Sequence, residues 1–294
     1  MDAMQISPSR DEVVGRFRVR RALPRPGRRT VGAWCFADHM GPAEVAEHNG
    51  LDVGPHPHCG LQTVTWLVAG EALHRDSLGT EQLIAPGQLN LMTAGHGVSH
   101  AEEAAGSYRG PLQGLQLWVA QPEATRHGPP AFEHHADLPQ LALDGAEATV
   151  LVGEFGGAHS PARHDTPLVG VDLDLYDRTT APLRADFEHC IIVLEGALVI
   201  DGELLEPGHL GHLGIGRDEL SATPVGDTRA VLLGGEPFPT PILMWWNYVA
   251  RTRDEIDLAH RSWETDDGRF GTVHSDLARI PSRRPFWQEQ DSPA

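Results

Sequence analysis

The chain has 294 residues and a formal charge of −18, from 41 acidic residues and 23 basic residues. A surface this acidic repels nucleic acids and anionic lipids, so we expect neither nucleic acid nor membrane as a direct partner. Hydrophobic residues make up 40% of the chain, which excludes a wholly disordered protein. The chain contains no lysine, which excludes Schiff-base catalysis and a phosphate-binding P-loop lysine.

The three cysteines are few and widely separated. Cys35, Cys59 and Cys190 form no pairing motif, which is typical of reduced thiols in a cytosol. The first residues lack the basic and then apolar pattern of a signal peptide, and no apolar run reaches the length of a membrane span. We therefore expect a cytoplasmic protein.

Short apolar runs bounded by Gly, Pro and Asp dominate the chain. They lie at residues 61–69, 82–84, 89–92, 112–120, 148–152, 169–175, 190–194, 197–200 and 230–233. Such closely spaced runs predict an antiparallel sandwich or barrel rather than alternating strands and helices. Helical periodicity is clear only at residues 253–259, where Asp254 and Glu255 suit the first turn of a helix.

A faint repeat relates the two halves of the chain. WLVAG at residues 66–70 is followed by IAPG at 84–87, and IVLEG at 192–196 is followed by LEPG at 205–208. Each half therefore has the order strand, glycine turn, strand, Pro-Gly turn, strand. This repeat predicts two copies of one small β-barrel in tandem.

The boundary between the barrels is expected near residues 139–147, where polar and small residues follow the first set of strands. We predict an N-terminal domain over residues 1–140, a C-terminal domain over 145–281 and a loosely held tail over 282–294.

Two pairs of residues share a spacing that suits metal binding. His56 and His58 are two residues apart, and so are His100 and Glu102, which begin 42 residues after His58. Residues two apart on a strand point to the same face. Two facing strands would direct three imidazoles and one carboxylate at one point. This set suits one divalent Fe, Mn, Ni, Cu or Zn ion, with positions left open for water or substrate.

Other readings of the histidines stay open. The four residues could instead be satisfied polar groups in a barrel mouth. Cys59 follows His58 directly, so we expect it on the opposite face and not as a ligand. His96 lies in a glycine-rich turn, where it could be a further ligand or a residue lining the mouth. His74 is expected to make a structural polar contact near a strand turn.

The second half of the chain lacks an equivalent ligand set. Aligning Gly70 with Gly196 places Pro182 and Arg184 where His56 and His58 stand. The pattern therefore predicts one metal, in the first barrel only. The aromatic stretch MWWNY at residues 244–248 is expected in core or inter-domain packing, with ligand stacking as the alternative.

Several segments resemble the pirin family, within the cupin superfamily. GPHPHCGLQTVTW at residues 54–66 resembles the family's metal-binding strand, and residues 70–79 and 92–102 also match. Shorter stretches that look like family landmarks lie at residues 36–42, 115–119, 247–256 and 268–271. The resemblance therefore covers nearly the whole chain.

This resemblance implies an all-β bicupin, with two tandem antiparallel β-barrels of the jelly-roll type and short C-terminal helices. It implies that His56, His58, His100 and Glu102 hold one iron-like metal in the first barrel. Bacterial pirins are associated with quercetin 2,3-dioxygenase activity, and eukaryotic pirins look like nuclear, redox-sensitive transcription cofactors.

The leading expectation is a metal-dependent dioxygenase, with Fe as the metal, that acts on a flavonol or a similar aromatic enol. Glu102 would accept a proton from the substrate hydroxyl or remain a ligand, and Val64, Trp66 and Leu91 would supply part of an apolar wall over the substrate. The alternative is a non-enzymatic regulator whose metal state alters its affinity for a protein partner.

Three positions depart from the family pattern. Cys59 stands where the family usually has Arg, Gln62 where it has Glu, and His96 where it has Arg or Lys. The loss of these charges near the mouth is expected to change its electrostatic field.

Overall fold

The computed structural model describes residues 3–15, 17–46, 51–106 and 108–290, and these form an antiparallel β protein. The strands of the first half are β1 (Gln5–Pro8), β2 (Arg10–Val14), β3 (Phe17–Leu23), β4 (Trp34–Val45), β5 (Val53–His58), β6 (Leu61–Ala69), β7 (Ala72–Asp76), β8 (Glu81–Ile84), β9 (Leu89–Thr93), β10 (Val98–Ala104), β11 (Gly110–Ala120) and β12 (Ala131–His135).

The second half continues the same pattern and ends in helices. Its elements are β13 (Gln140–Leu143), β14 (Ala146–Phe155), β15 (Ala158–His159), β16 (Leu168–Leu175), β17 (Thr179–Pro182), β18 (Glu188–Glu195), β19 (Leu198–Ile200), β20 (Glu203–Leu205), β21 (His209–Gly214), β22 (Glu219–Pro224), β23 (Thr228–Gly235), β24 (Leu243–Trp245), β25 (Tyr248–Ala250), α1 (Arg253–Thr265) and α2 (Trp287–Gln290). Every apolar run in the sequence overlaps a strand, so the predicted all-β class is confirmed.

Each half builds one barrel from a large and a small sheet. In the first barrel, the sheet β12-β9-β6-β11-β4-β3-β2 packs against the sheet β5-β10-β7-β8. In the second, the sheet β1-β21-β18-β23-β16-β14-β13, with β15 paired to β14, packs against β17-β22-β19-β20. Apolar side chains from the two sheets fill each interior.

The glycine turns of the repeat are structurally equivalent. Gly70 follows β6 with φ of +91°, and Gly196 follows β18 with φ of +70°. A Cβ atom would lie 2.7 Å from the Pro111 carbonyl oxygen at Gly70, and 2.5 Å from the Asp227 carbonyl oxygen at Gly196. Both positions therefore require glycine for conformation and for space, which explains the repeated motif.

The barrels meet in a shared apolar core around Trp34. This side chain is 0% exposed and packs among residues of both barrels. Its indole Nε1 donates to the carbonyl oxygens of Val169 and Gly234, each at 3.1 Å. Nearby, Trp66 Nε1 donates to Asp172 Oδ2 at 3.0 Å. The two barrels are therefore joined by a buried interface with satisfied polar groups.

The ends of the chain cross between the barrels. Strand β1 begins the chain but pairs with β21 of the second barrel. Strand β25 forms a parallel bridge from Tyr248 to Cys59 of the first barrel, and α1 packs beside that bridge. The domain limits of 1–140 and 145–281 stay predictions.

One aromatic side chain of the predicted tail packs against α1. Trp287 is 7% exposed, and its indole donates to Asp257 Oδ1 on α1 at 2.9 Å. Trp287 therefore anchors this segment to α1, while the loosely held tail over 282–294 stays a prediction. Residues 291–294 lie outside the described residues.

Helix α1 begins where the sequence indicates, but it continues beyond residue 259 to Thr265. The Thr252 side chain accepts a hydrogen bond from the Glu255 backbone N–H, and Asp254 and Glu255 occupy the first turn. Asp266, with φ of +53°, terminates the helix in the left-handed region. Among the described residues, no helix combines the length and apolarity that crossing a bilayer requires.

We predict that the inter-barrel core carries much of the stability. Trp34→Ala should lower the free energy of unfolding by about 3–5 kcal/mol, because it leaves a cavity. Trp34→Phe should cost about 1–3 kcal/mol, because two buried carbonyls lose their donor. Urea unfolding measures both values. Tyr176→Ala, at an exposed position, is the control, and an equal loss there would contradict this account.

Candidate metal centre

Neighbouring strands β5 and β10 bring three histidines together. They pair antiparallel, with His100 opposite His56 and Val98 opposite His58. Directly opposed side chains share a face, and so do residues two apart on one strand. The ligand atoms of the three imidazoles all lie within 4.8 Å of one another. The structure therefore brings together three of the four predicted ligands in a group that can hold a metal ion.

Glu102 lies in the same cavity but outside that close group. It follows His100 by two residues on β10, and an irregularity in the pairing places it opposite Val53 of β5. Burial raises the pKa of Glu102 to about 7, against the opposing effect of a hydrogen bond from Thr65. The carboxylate is thus held near the histidines in an environment that disfavours its charge.

Hydrogen bonds fix the tautomers of two histidines. His56 Nδ1 lies 2.9 Å from the Gly54 carbonyl oxygen, and His58 Nδ1 lies 3.1 Å from the Asn247 carbonyl oxygen. A carbonyl oxygen only accepts, so each Nδ1 must donate and each Nε2 keeps its lone pair. Burial lowers the pKa of His56 to about 4 and the pKa of His58 well below its usual value. Both rings are neutral, as metal ligands must be.

The spacing of the ring nitrogens fits a cation between them. His58 Nε2 and His100 Nε2 are 3.0 Å apart. Two ligands at a right angle, each with a metal–nitrogen bond of about 2.1 Å, also place their nitrogens about 3.0 Å apart. A bound metal would satisfy the buried lone pair on His58 Nε2. The donor set and its spacing therefore fit a divalent metal.

The C-terminal hairpin β24–β25 completes this arrangement. Gly60 has φ of +70°, and a Cβ atom there would lie 2.1 Å from the Val249 carbonyl oxygen. The absent side chain lets the Val249 backbone N–H donate to the Cys59 carbonyl oxygen at 3.1 Å. This close approach brings the Asn247 carbonyl to His58. The glycine after the ligand strand thus allows a distant segment to orient a ligand.

A cavity of about 430 Å³ opens above the histidines. One part of its lining is aromatic: Phe36 and Trp118 stack with ring centroids 4.0 Å apart, and Trp118 meets the His58 ring edge-on at 5.1 Å. Trp246 of the hairpin turn also lines it. The aromatic stretch at residues 244–248 therefore contributes to the cavity as well as to packing.

A partly buried ion pair lines another part of the cavity. Arg21 donates to both oxygens of Asp38, at 2.8 and 2.7 Å, and its guanidinium lies 4.5 Å above the Phe36 ring. Sequence analysis missed both charged residues. They are 17 positions apart, and only the register between β3 and β4 places them opposite each other.

The predicted apolar wall is wrong. Val64, Trp66 and Leu91 pack in the core shared with the second barrel. Side chains alternate along β6, so Val64 and Trp66 face away from the cavity, while Thr65 on the other face is close to Glu102. Leu91 lies directly opposite Val64 on β9 and therefore shares its face. The aromatic lining comes instead from β4, β11 and the C-terminal hairpin.

The three departures from the family pattern lie away from the cavity lining. Cys59 packs near α1, on the face opposite His58. Gln62 Nε2 donates to Thr93 Oγ1 at 3.1 Å, and His96 is exposed with its ring 3.2 Å from the Gly128 carbonyl oxygen. The expected change of field at the mouth stays a prediction, and His96 is not part of the histidine group.

The second barrel has different residues at the equivalent place. Pro182 and Arg184 line a separate cavity of about 260 Å³ beside His189. In the described residues of this barrel, no three His, Cys, Asp or Glu side chains converge as they do in the first barrel.

Two tandem barrels with a histidine cluster in the first define a bicupin with a candidate metal centre. Comparison with protein families agrees with this class. The pirin family model matches residues 16–119, and the model for the pirin C-terminal cupin domain matches residues 168–271. The chain belongs to the pirin family.

Relatives and solved structures extend the match over nearly the full chain. A Pseudomonas aeruginosa protein provisionally named quercetin 2,3-dioxygenase is 48% identical over 264 residues, covering 89% of this chain and 84% of the relative. The crystal structure of a quercetin 2,3-dioxygenase from Acinetobacter baumannii is 44% identical, with a TM-score of 0.93 and 96% coverage of both chains.

A more distant structure shows the same fold. It is a bacterial pirin from Escherichia coli in complex with nickel(II), 18% identical, with a TM-score of 0.65, covering 80% of this chain and 99% of the other.

We predict that metal binding depends on the buried cluster and not on the exposed histidine. His58→Ala should reduce the metal content of the purified protein to well under one equivalent, because one of three converging imidazoles is lost. His96→Ala is the matched control and should leave the metal content unchanged. Elemental analysis after loading and desalting measures both. Equal losses in the two variants would contradict this site.

Proposed function

We propose that this pirin is a metal-dependent dioxygenase that cleaves a flavonol or a similar aromatic enol with O2. The observation that carries the proposal is the cluster of His56, His58 and His100, which faces a cavity lined by aromatic rings. The names of similar proteins from Pseudomonas aeruginosa and Acinetobacter baumannii support the same reaction class.

In this proposal the chain holds one divalent metal, and Fe is the first choice. His56, His58 and His100 would hold it, with Glu102 as the fourth ligand. Imidazole and carboxylate donors with open positions suit non-haem iron, and the same donors also accept Mn, Ni, Cu or Zn. The nickel complex of the Escherichia coli pirin makes nickel the main competitor to test.

The residues around the cluster have separate tasks in the proposed reaction. A bound divalent metal would supply Lewis acidity, which lowers the pKa of a substrate hydroxyl. Trp118, backed by Phe36, would stack against a flat aromatic ring, a contact that typically contributes about 0.5–1.5 kcal/mol beyond burial. The cavity volume of about 430 Å³ falls within the usual range of small-molecule sites.

Arg21 and Asp38 would hold this surface in place. The guanidinium covers the outer face of Phe36 and neutralises the buried Asp38 carboxylate. Burial raises the pKa of Asp38, although the hydrogen bond and charge of Arg21 oppose the rise. The pair therefore keeps Phe36 in position behind Trp118.

We also propose a cytoplasmic location and a small aromatic substrate as the partner. All three cysteines are free and buried, which agrees with a reducing compartment. The alternative remains a metal-responsive regulator that binds a protein partner.

The flavonol assay tests the main proposal. Protein loaded with Fe, Mn or Ni should consume O2 and bleach the flavonol absorbance under air, and His58→Ala should reduce kcat/KM at least 100-fold. Trp118→Ala should raise KM more than it lowers kcat, since it removes a stacking surface. An absence of turnover with every metal, or unchanged turnover in His58→Ala, would remove the proposal.

A binding assay distinguishes the regulator. Metal-dependent capture of one protein partner, without flavonol turnover by any loaded form, would favour regulation. Identical partner binding by metal-free and loaded protein would count against it.

Glu102→Gln separates the two roles of this carboxylate. If Glu102 accepts the substrate proton, metal affinity should be retained while kcat falls about 10²–10⁴-fold. If it is chiefly a ligand, metal affinity should fall as well. Isothermal titration with the metal and steady-state kinetics give the two values. Unchanged affinity together with unchanged kcat would exclude both roles.

A further inference from the structure

Two polar residues are buried behind the ligand His100. His74 and Asp76 lie on β7, which pairs with β10 on the side away from β5. Asp76 is directly opposite His100, and His74 is directly opposite Glu102, so all four side chains share one face. His74 is 5% exposed and Asp76 is 3% exposed. Their position makes them direct neighbours of the proposed metal centre.

Contacts link these residues into a chain that ends at His100. Asp76 Oδ2 lies 3.1 Å from His74 Nε2, and His74 Nδ1 lies 3.4 Å from His100 Nδ1. The other carboxylate oxygen, Oδ1, accepts the backbone N–H groups of Leu78 at 2.9 Å and Thr80 at 3.0 Å. The carboxylate is therefore anchored to the turn that follows β7.

These contacts determine where the protons lie. Burial alone would raise the pKa of Asp76, but hydrogen bonds from His74 and from the Thr80 and Leu78 backbone hold it below its usual value. An ionised carboxylate only accepts, so His74 Nε2 must donate to it. With its proton on Nε2, His74 can accept at Nδ1, so the proton in the 3.4 Å contact between the two Nδ1 atoms is assigned to His100. This assignment leaves His100 Nε2 free for a metal, in line with its position 3.0 Å from His58 Nε2.

We propose that Asp76 and His74 are positioning residues that fix the tautomer and orientation of His100 for metal binding. The inference rests on the proposed metal site. In His56 and His58, backbone carbonyls hold the proton on Nδ1 and leave Nε2 free. In His100, a second imidazole and a carboxylate have this role. Such outer partners orient metal-bound histidines and raise their basicity.

A neighbouring aromatic ring restricts the rotation of the His74 side chain. Phe132 of β12 stacks on His74 with ring centroids 4.5 Å apart and planes 23° apart. The ring therefore cannot rotate away from His100 without losing this contact. His74 thus does more than the local polar contact that the sequence indicated.

Asp76→Asn is the sharpest test, because it preserves the turn and reverses the donor. The amide oxygen can still accept from the Leu78 and Thr80 N–H groups, while the amide nitrogen faces His74 Nε2. His74 must then donate from Nδ1, which drives the His100 proton onto Nε2. Affinity for Zn²⁺ or Co²⁺ should fall about 10–100-fold, measured by competition with a chromophoric chelator.

Arg75→Ala is the matched control. Arg75 lies between His74 and Asp76 but points to the other face of β7, where it pairs with Glu81 and Glu103. Its loss should leave the affinity for Zn²⁺ within twofold of the wild-type value. An equal loss in Arg75→Ala would assign the effect to general disturbance of β7 and would overturn the inference.

His74→Phe provides a second, independent variant. It retains a ring against Phe132 but removes the acceptor for His100, so Zn²⁺ affinity should fall in the same range. The double variant Asp76→Asn/His74→Phe should bind Zn²⁺ no more weakly than His74→Phe alone, since Asp76 acts through His74. Additive losses of affinity would show that Asp76 acts independently of His74 and would overturn the inference. If Asp76→Asn does not fold, as urea unfolding would show, His74→Phe decides alone.

A tautomer measurement on the wild-type protein needs no variant. Side-chain ¹⁵N spectra of the Zn²⁺-loaded chain should show His74 protonated at Nε2 and His100 at Nδ1, and the reverse pattern would overturn the inference. Wild-type protein that binds no metal would overturn both the positioning role of Asp76 and His74 and the proposed function. Tight metal binding without flavonol turnover would remove only the proposed dioxygenase activity, since the positioning role is measured by metal affinity and tautomer.

Discussion

The antiparallel register of β5 and β10 is the constraint on which the site depends. It places His100 opposite His56 and lets alternation bring His58 to the same face. A slip of one residue would turn the histidines of the moved strand to the other side of the sheet. The four-stranded sheet also carries β7 on the far side of β10, and the register of this second pair sets the distance from His100 to His74.

Burial of three imidazoles is tolerated because their outer nitrogens have partners. Two of these partners are backbone carbonyls, one from within β5 and one from the C-terminal hairpin that crosses back to the first barrel. The hairpin can approach because Gly60 has no side chain. The second barrel lacks the histidine cluster in its described residues. The hairpin β24–β25, which follows this barrel in the chain, nevertheless orients His58 and lines the cavity.

Sequence reasoning succeeded where periodicity and spacing are local. Alternation predicted the common face of His56 and His58 and the opposite face of Cys59, and the paired glycine turns predicted the barrel repeat. It failed where distant segments meet. Alternation along β6 defines two faces but does not say which one meets the second barrel, so Val64 and Trp66 were assigned to the wrong side. Arg21 pairs with Asp38 only through strand register, and no local motif marks the Asn247 carbonyl.

The most direct measurement of the central claim is X-ray absorption at the metal edge of the chain loaded with one equivalent of Fe²⁺ or Ni²⁺. The account predicts multiple scattering from three imidazoles, with metal–nitrogen distances of about 2.1 Å and only light atoms in the first coordination sphere. Sulfur scattering, or a spectrum with fewer than three imidazoles, would contradict it.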